Sequence, residues 1–328
     1  MGEPANTLKT FENKYSSDVN DFFPHGVKIH AGDSVRFVPT GFHIVDFPKR
    51  GASVQPLVLP TGQAVAGSVD AAGSPFWFNG QQNAQFNPAL LQSNFGKKLT
   101  YNGKKEALSG FPPNGRPKPF TVKFSKAGKF TYYCPLHQGM KGVVTVVPKS
   151  RKVPSNRQER KAAKKQAARD LKIAKRLANT RVPAGTVDVG SAGPHGVENY
   201  GFFPKTINVS VGTTLSFRMT KGSFETHTAS TGPDNPEQPG GYLATLSAAF
   251  QGGPPPIDPR AAYPSDPPGT PAHLTPASHG NGFWNSGPMD ESSATPFQAS
   301  NSVTFSQAGT YQFYCLIHPF MHGTVVVK

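Results

Sequence analysis

The sequence predicts an all-β chain in which two β-sandwich domains are joined by one long basic α-helix, and three observations carry that prediction. A strand–loop–strand pattern that closes the chain recurs near its middle with the same spacing. Short alternating apolar runs are punctuated throughout by Gly and Pro, 34 and 33 of them in 328 residues. The stretch between the repeats turns abruptly Lys- and Arg-rich and takes on helical spacing. This length fits about two domains. The repeat divides the chain into 1–149, a linker at 150–183, and 184–328.

Taken in order, domain one follows a polar lead-in. Val27, Ile29 and Ala31 alternate with Lys28 and His30, the period of a half-buried strand. Gly32 and Asp33 read as a turn, and Val35 and Phe37 as the second edge of a hairpin running into His43. The segment then closes on Thr131-Tyr-Tyr-Cys134-Pro-Leu-His137-Gln-Gly-Met140-Lys-Gly-Val-Val. Domain two repeats the plan. Phe22-Phe-Pro24 through Phe37 reads like Phe202-Phe-Pro204 through Phe217, and Val122 to Gly128 reads like Val303 to Gly309. It ends on Tyr314-Cys315-Leu-Ile-His318-Pro-Phe-Met321-His-Gly-Thr-Val.

The two loops carry the chemistry. A strand that delivers a cysteine, followed by a tight loop that returns a histidine and a methionine, supplies a soft thiolate, an imidazole and a thioether to one point. With one more histidine this is the donor set of a mononuclear blue-copper centre. The chain has only two cysteines, both inside these motifs, so no disulfide framework and no zinc Cys cluster is available.

Cys-x-x-His-x-x-Met closing a strand resembles the cupredoxin family, and the Cys315-x-x-His318-Pro-x-Met321 wording is most similar to the amicyanins within it. The resemblance implies a Greek-key sandwich for each half and a fourth ligand, a histidine, just after an upstream strand. His43 matches that position, with His30 as the weaker rival. In domain two His227 is the candidate, four residues later relative to the aligned Phe37 and Phe217. The implied ligand sets are His43, Cys134, His137, Met140 and His227, Cys315, His318, Met321, one copper each. Many cupredoxins place an Asn after the first histidine, where this chain has Ile44 and Thr228. The loop histidines His137 and His318 are carried over as electron ports, with Leu136, Ile317 and Phe320 as apolar patch residues.

Long inserts separate the first histidine from the cysteine in both halves, Pro48 to Pro119 and Thr231 to Gln298. The shared wording of Pro75-Phe-Trp77-Phe-Asn-Gly80 and Gly282-Phe-Trp284-Asn-Ser-Gly287 suggests equivalent elements. From Thr231 to Gly280 there are twelve Pro and seven Gly, which excludes long regular elements and reads as ordered cover or a partner surface.

Between the domains, 148–182 holds thirteen Lys or Arg and two acidic residues. Ser155 and Gln158 form a capping-box start, Ala163, Ala167, Leu171, Ala174 and Ala178 recur at helical spacing, and Asn179 with Pro183 marks the stop. Its net +11 is most of the chain's +15, so the basic excess reads as a property of the linker. The aromatic interleaving that single-stranded nucleic acid favours is missing from this stretch, and nucleic acid is not an expected partner. An acidic redox partner or anionic surface is.

The reading of function is single-electron transfer with a redox partner protein or enzyme, without catalysis, in the periplasm or outside the cell as the family resemblance implies. No apolar run approaches the roughly 20 residues of a membrane span, and the opening Met1-Gly-Glu-Pro lacks the apolar region of a secretory signal. The alternative class is a two-domain copper oxidase or nitrite-reductase-like enzyme, with an accessory copper built from His25, His30, His195, His273, His279 and His322. Those families use His-x-His pairs or a His before the cysteine, whereas Tyr133 and Tyr314 stand there. Copper storage would call for more methionine than the five present.

Overall fold

The computed structural model describes residues 5–115, 117–252 and 255–328. The chain is all-β apart from one 22-residue helix and a few short ones, and it gathers into two compact units. The first comprises Met1–Leu57, Asn87–Ala178 and Gly193–Asn199; the second comprises Val58–Phe86, Asn179–Ala192 and Tyr200–Lys328. No helix among the described residues is long and apolar enough to cross a membrane.

In the first unit, one sheet is built around the hairpin Gly128–Tyr133 and Lys141–Val147. Gly26–His30 joins Lys141–Val147 in parallel, and Asp46–Phe47 flanks Tyr133 on the other side. The facing sheet holds Ser34–Phe37, Phe120–Phe124 and Lys98–Tyr101. Aromatic rings fill the space between. Phe37 meets Phe47 and Tyr132 edge-on at 5.8 and 5.1 Å, and Phe47 meets Phe124 at 5.4 Å. Such edge-to-face pairs add about 0.5–1.5 kcal/mol each beyond the area they bury.

The expected hairpin of Gly26–His30 with Ser34–Phe37 does not form. Gly32, at φ +98°, turns the chain from one sheet into the other, so the two strands pair with different partners, Lys141–Val147 and Phe120–Phe124.

The second unit repeats the plan. Gly309–Tyr314 and His322–Val327 form the central hairpin, Thr206–Val209 joins in parallel, and Ser230–Thr231 flanks Tyr314. Opposite lie Thr186–Ala192, Thr214–Arg218, Ser300–Phe305 and Ala272–Leu274. Val189, Leu215, Phe217, Phe305, Phe313 and Trp284 come from both layers and share one apolar core.

The long helix, Asn156–Leu177, starts at the capping box as expected: Ser155 Oγ accepts from the Gln158 amide and Gln158 Oε1 accepts from the Ser155 amide. It belongs to the first unit. Ile173 and Ala174 pack with Phe11, Val19 and Val197, and Gln166 donates to Asp21 Oδ2 and the Phe22 carbonyl. Phe11 lies on a helix, Ala5–Tyr15, where the sequence reads only as a polar lead-in; one aromatic per turn-and-a-half was too sparse a stripe to mark it.

A second correction concerns the inserts. The Phe-Trp segments are not equivalent elements. Residues 58–86 form a hairpin, Val58–Ala64 with Gln82–Phe86, that lies in the second unit, where Phe76 and Phe78 pack with Phe283, Leu243 and Leu316. Trp77 Nε1 donates to the Pro264 carbonyl at 2.9 Å. Phe76 and Phe78 share a core with Phe283, whereas Trp284 belongs to the core between the sheets, so the two segments do not occupy matching places. Among its described residues the Pro-rich insert adopts short elements, including the helices Tyr242–Ala248 and Pro259–Ala262 and the strand Ala272–Leu274.

Candidate metal centres

Each candidate ligand loop is closed by its own backbone. In the first, the Cys134 amide donates to the Met140 carbonyl at 3.0 Å, the Met140 amide to His137 at 3.0 Å, and the His137 amide to Cys134 at 3.3 Å. In the second, Cys315 donates to Met321 at 3.2 Å and Met321 to His318 at 2.9 Å. The hairpin strands hold both ends, since Tyr133 pairs with Lys141 and Tyr314 with His322. Met140 and Met321 are buried at these closures.

The upstream histidines arrive in the same register. His43 stands three residues before Asp46, which pairs with Tyr133; His227 stands three residues before Ser230, which pairs with Tyr314. The four-residue offset seen in sequence is absorbed before His227, in the turn around Gly222. Both histidines are fully buried.

Two three-residue groups result: His43, Cys134, His137 and His227, Cys315, His318, with donor atoms within 4.8 Å of one another in each. The facing Nδ1 atoms are 3.0 Å apart in both. Cys134 Sγ is 3.5 Å from His137 Nδ1; Cys315 Sγ is 3.7 and 3.8 Å from His227 and His318. A tetrahedral ion with bonds of about 2.0 Å to nitrogen and 2.3 Å to sulfur sets its donors about 3.3 to 3.6 Å apart. The spacing and the N/S donor chemistry therefore fit a copper or similar ion, and two imidazole lone pairs so close would repel without a cation or shared proton between them. For Cys315, burial alone would push the thiol up, but hydrogen bonds and positive charge from His227 and His318 outweigh it and hold it well below the ordinary value. A thiolate is the form that binds metal.

The residues after the first histidines act through their backbones. Ile44 cannot offer a side-chain donor to the sulfur, yet its amide donates to Cys134 Sγ at 3.4 Å, as the Thr228 amide does to Cys315 Sγ at 3.3 Å. The second site adds the His318 amide at 3.4 Å. Thr228 Oγ1 also accepts from the Leu316 amide at 2.8 Å, tying the first-histidine segment to the loop.

Other residues that brace these two groups were invisible to motif reasoning. Ser109 Oγ accepts from Val45 and Ser286 Oγ from Ala229, each two residues past its histidine; a Ser-Gly pair in each insert was the available signal. The second site also carries Tyr200, whose ring lies 5.1 Å from His318 and whose hydroxyl donates to buried Glu225 at 2.7 Å. Glu225 Oε2 is 3.7 Å from His318 Nε2. The helix Tyr242–Ala248 and the turn after it support the loop: Ser247 Oγ donates to the Leu316 carbonyl at 2.8 Å and Gln251 to that of Ile317 at 3.0 Å.

The spare histidines lie apart. His25 bonds Asp21, His30 the Arg151 carbonyl, His273 Ser306, and His322 the Phe320 carbonyl. His279 sits between Asp70 and Asp266, and His195 in a turn at Pro194–Gly196.

No protein-family model matches the chain. Amicyanin of Paracoccus denitrificans is 59% identical over 27 residues, 8% of this chain. That match spans 21% of the amicyanin's own length. Among solved structures, amicyanin from Paracoccus versutus aligns at 17% identity over 45% of this chain and 85% of its own, with a TM-score of 0.23. Plastocyanin from Dryopteris crassirhizoma in its oxidised form aligns at 24% identity over 44% and 99%, with a TM-score of 0.22.

Proposed function

We propose that the chain is a tandem pair of cupredoxin-like domains that binds two mononuclear copper ions and passes single electrons to or from a redox partner outside the cytoplasm. One site takes His43, Cys134, His137 and Met140, the other His227, Cys315, His318 and Met321. The observation that carries this reading is the convergence, twice over, of two imidazole Nδ1 atoms and one cysteine sulfur at metal-ligand spacing. Bound copper supplies a one-electron couple that needs no proton.

The chain's own residues do the rest. His43 and His227, fully buried, fix one side of each site, and water is kept from both cysteine sulfurs by the surrounding core. The amides of Ile44 and Thr228 hold those sulfurs in place, and a site so braced changes little in shape between oxidation states. His137 and His318 are partly exposed, which makes them the exits for the electron. That the spare histidines bond elsewhere, several to carboxylates, favours a carrier over an enzyme with a third copper.

Metal analysis and absorption spectroscopy test this. Two coppers per chain and an intense thiolate-to-copper band are expected, with Cys134→Ser and Cys315→Ser each removing one share. One copper per chain, or loss of all colour from a single substitution, would refute the paired sites.

A further inference from the structure

Charge divides between the two units far more sharply than the sequence alone implies. The first holds 28 Lys and Arg against 10 Asp and Glu, a net +18; the second holds 6 against 9, a net −3. The long helix accounts for 9 cations and 2 anions of the first, a net +7, so the rest of that unit still carries +11. The basic excess is a property of one unit and not of a linker.

The helix sits at the metal end of its sandwich. Gln166 Oε1 accepts from the His25 amide at 3.0 Å, and the His25 carbonyl accepts from Val143, three residues beyond Met140. Around Gln166 the side chains of Lys161, Lys164, Lys165, Arg169 and Lys172 are exposed, as is Lys141 directly after Met140. Asp170, the one acidic group in that stretch, is buried and bonded to Arg169. Beside the buried ligand His43, Phe42 is 57% exposed and stacks on Phe111 at 5.3 Å.

Resting on the copper reading above, we propose that this end of the first unit is the docking surface for an acidic redox protein, which exchanges electrons with the His43–Cys134–His137 site, while the second site serves a partner not selected by negative charge. A partly exposed aromatic pair beside His43 and a cationic helix face on the same unit supply the apolar and the charged components of a protein–protein contact. A lipid surface fits less well, because the exposed face of the helix offers Lys, Arg and Ala and no large apolar side chain to enter a bilayer. The long cationic face raises the encounter rate with anions by about 10- to 1,000-fold at low salt.

The test uses single-site chains, Cys315→Ser to leave the first copper and Cys134→Ser to leave the second. Hexacyanoferrate(III) takes one electron from the reduced site and leaves as hexacyanoferrate(II); tris(phenanthroline)cobalt(III) is the cationic counterpart. The first site's rate with hexacyanoferrate should fall about tenfold or more as salt rises and the screening length shrinks from about 30 Å to about 8 Å, and its rate with the cobalt complex should not fall. The second site should lack the hexacyanoferrate fall. Changing Lys161, Lys164, Lys165 and Arg169 together to Glu should cut the low-salt rate at the first site about tenfold with its colour intact, and the same four changed to Gln should give a smaller loss. Metal-free protein should bind poly-L-glutamate at low salt, and the four-Glu variant should bind it more weakly. A salt-independent first site, unchanged rates in both variant sets, or binding to phosphatidylserine vesicles but not to poly-L-glutamate would overturn the proposal. Failure to take up copper would strike the copper reading alone, because the poly-L-glutamate measurement needs no metal.

Discussion

Replacing Ser247 by Ala tests how the second ligand loop is held. Ser247 lies on the buried face of its helix, and its hydroxyl donates to the Leu316 carbonyl at 2.8 Å. Leu316, fully buried, follows the candidate ligand Cys315, and its amide is satisfied by Thr228 Oγ1. Both polar groups of its backbone are thus met by side chains rather than by a neighbouring strand. Removing the hydroxyl leaves a buried carbonyl without its donor, which costs about 1–3 kcal/mol. In a unit of this size each kcal/mol lowers the midpoint by roughly 2–4 °C, so about 4–8 °C is expected for a mid-range loss. Calorimetry on the wild-type and S247A chains would measure it, with Gln251→Ala as control. Gln251 makes a similar bond to Ile317 but from an exposed position, where water replaces it, so its loss should stay below about 1 kcal/mol. A loss below about 0.5 kcal/mol for S247A, or equal losses for both variants, would show that the loop does not depend on this buried contact.

Two further predictions concern pH. Burial pushes the Asp46 carboxyl up to about 7, only partly offset by the Gln55 amide and assisted by the charge of Glu106. A raised folded value means that its stabilising contribution is complete below the unfolded value near 3.8 and is lost as pH rises through 7. Asp46→Asn should therefore be the more stable chain at pH 8 and lose that slope in urea denaturation between pH 5 and 8; a slope unchanged in the variant would refute it. For His279 burial lowers the imidazole, but Asp266 and Asp70 raise it further, to a net value above 6.5. Its contribution to the second unit is complete below 6.5 and falls as pH rises through the raised value, a dependence that His279→Gln should abolish when unfolding is followed across pH 5.5 to 8.5.

The candidate donors stood out in the sequence because metal chemistry restricts both residue type and spacing: Cys134, His137 and Met140 repeat as Cys315, His318 and Met321 with nothing inserted between them. The capping box of the long helix was legible for the same reason, since it needs only residues three apart. What failed were the strand pairings and the core each segment joins, which alternation and aromatic content alone do not specify. Val27 and Val35 alternate as hairpin strands do, and alternation says nothing about which sheet a strand joins. Phe76 and Trp77 announced an aromatic core without saying whose. Ile44 looked like the loss of a hydrogen bond to sulfur, yet every residue but Pro carries a backbone donor, and position rather than side chain decides its use.

The hairpin at 58–86 bears on how the protein is made. Its apolar side chains Val65, Phe76 and Phe78 find their cover in Leu243, Leu246, Phe283 and Leu316. Trp77 meets its acceptor 187 positions further along and Asp70 its histidine 209 further along. On the ribosome, this hairpin emerges early and must wait, its greasy side bare, while the helix and most of the second sandwich are still being translated. At about 5–20 residues per second that is roughly 10–40 seconds, during which another nascent copy or a chaperone can claim the same surface. The tandem repeat looks like two beads that could be cut apart, but a fragment that starts at the second bead would leave behind the cover its own ligand loop leans on.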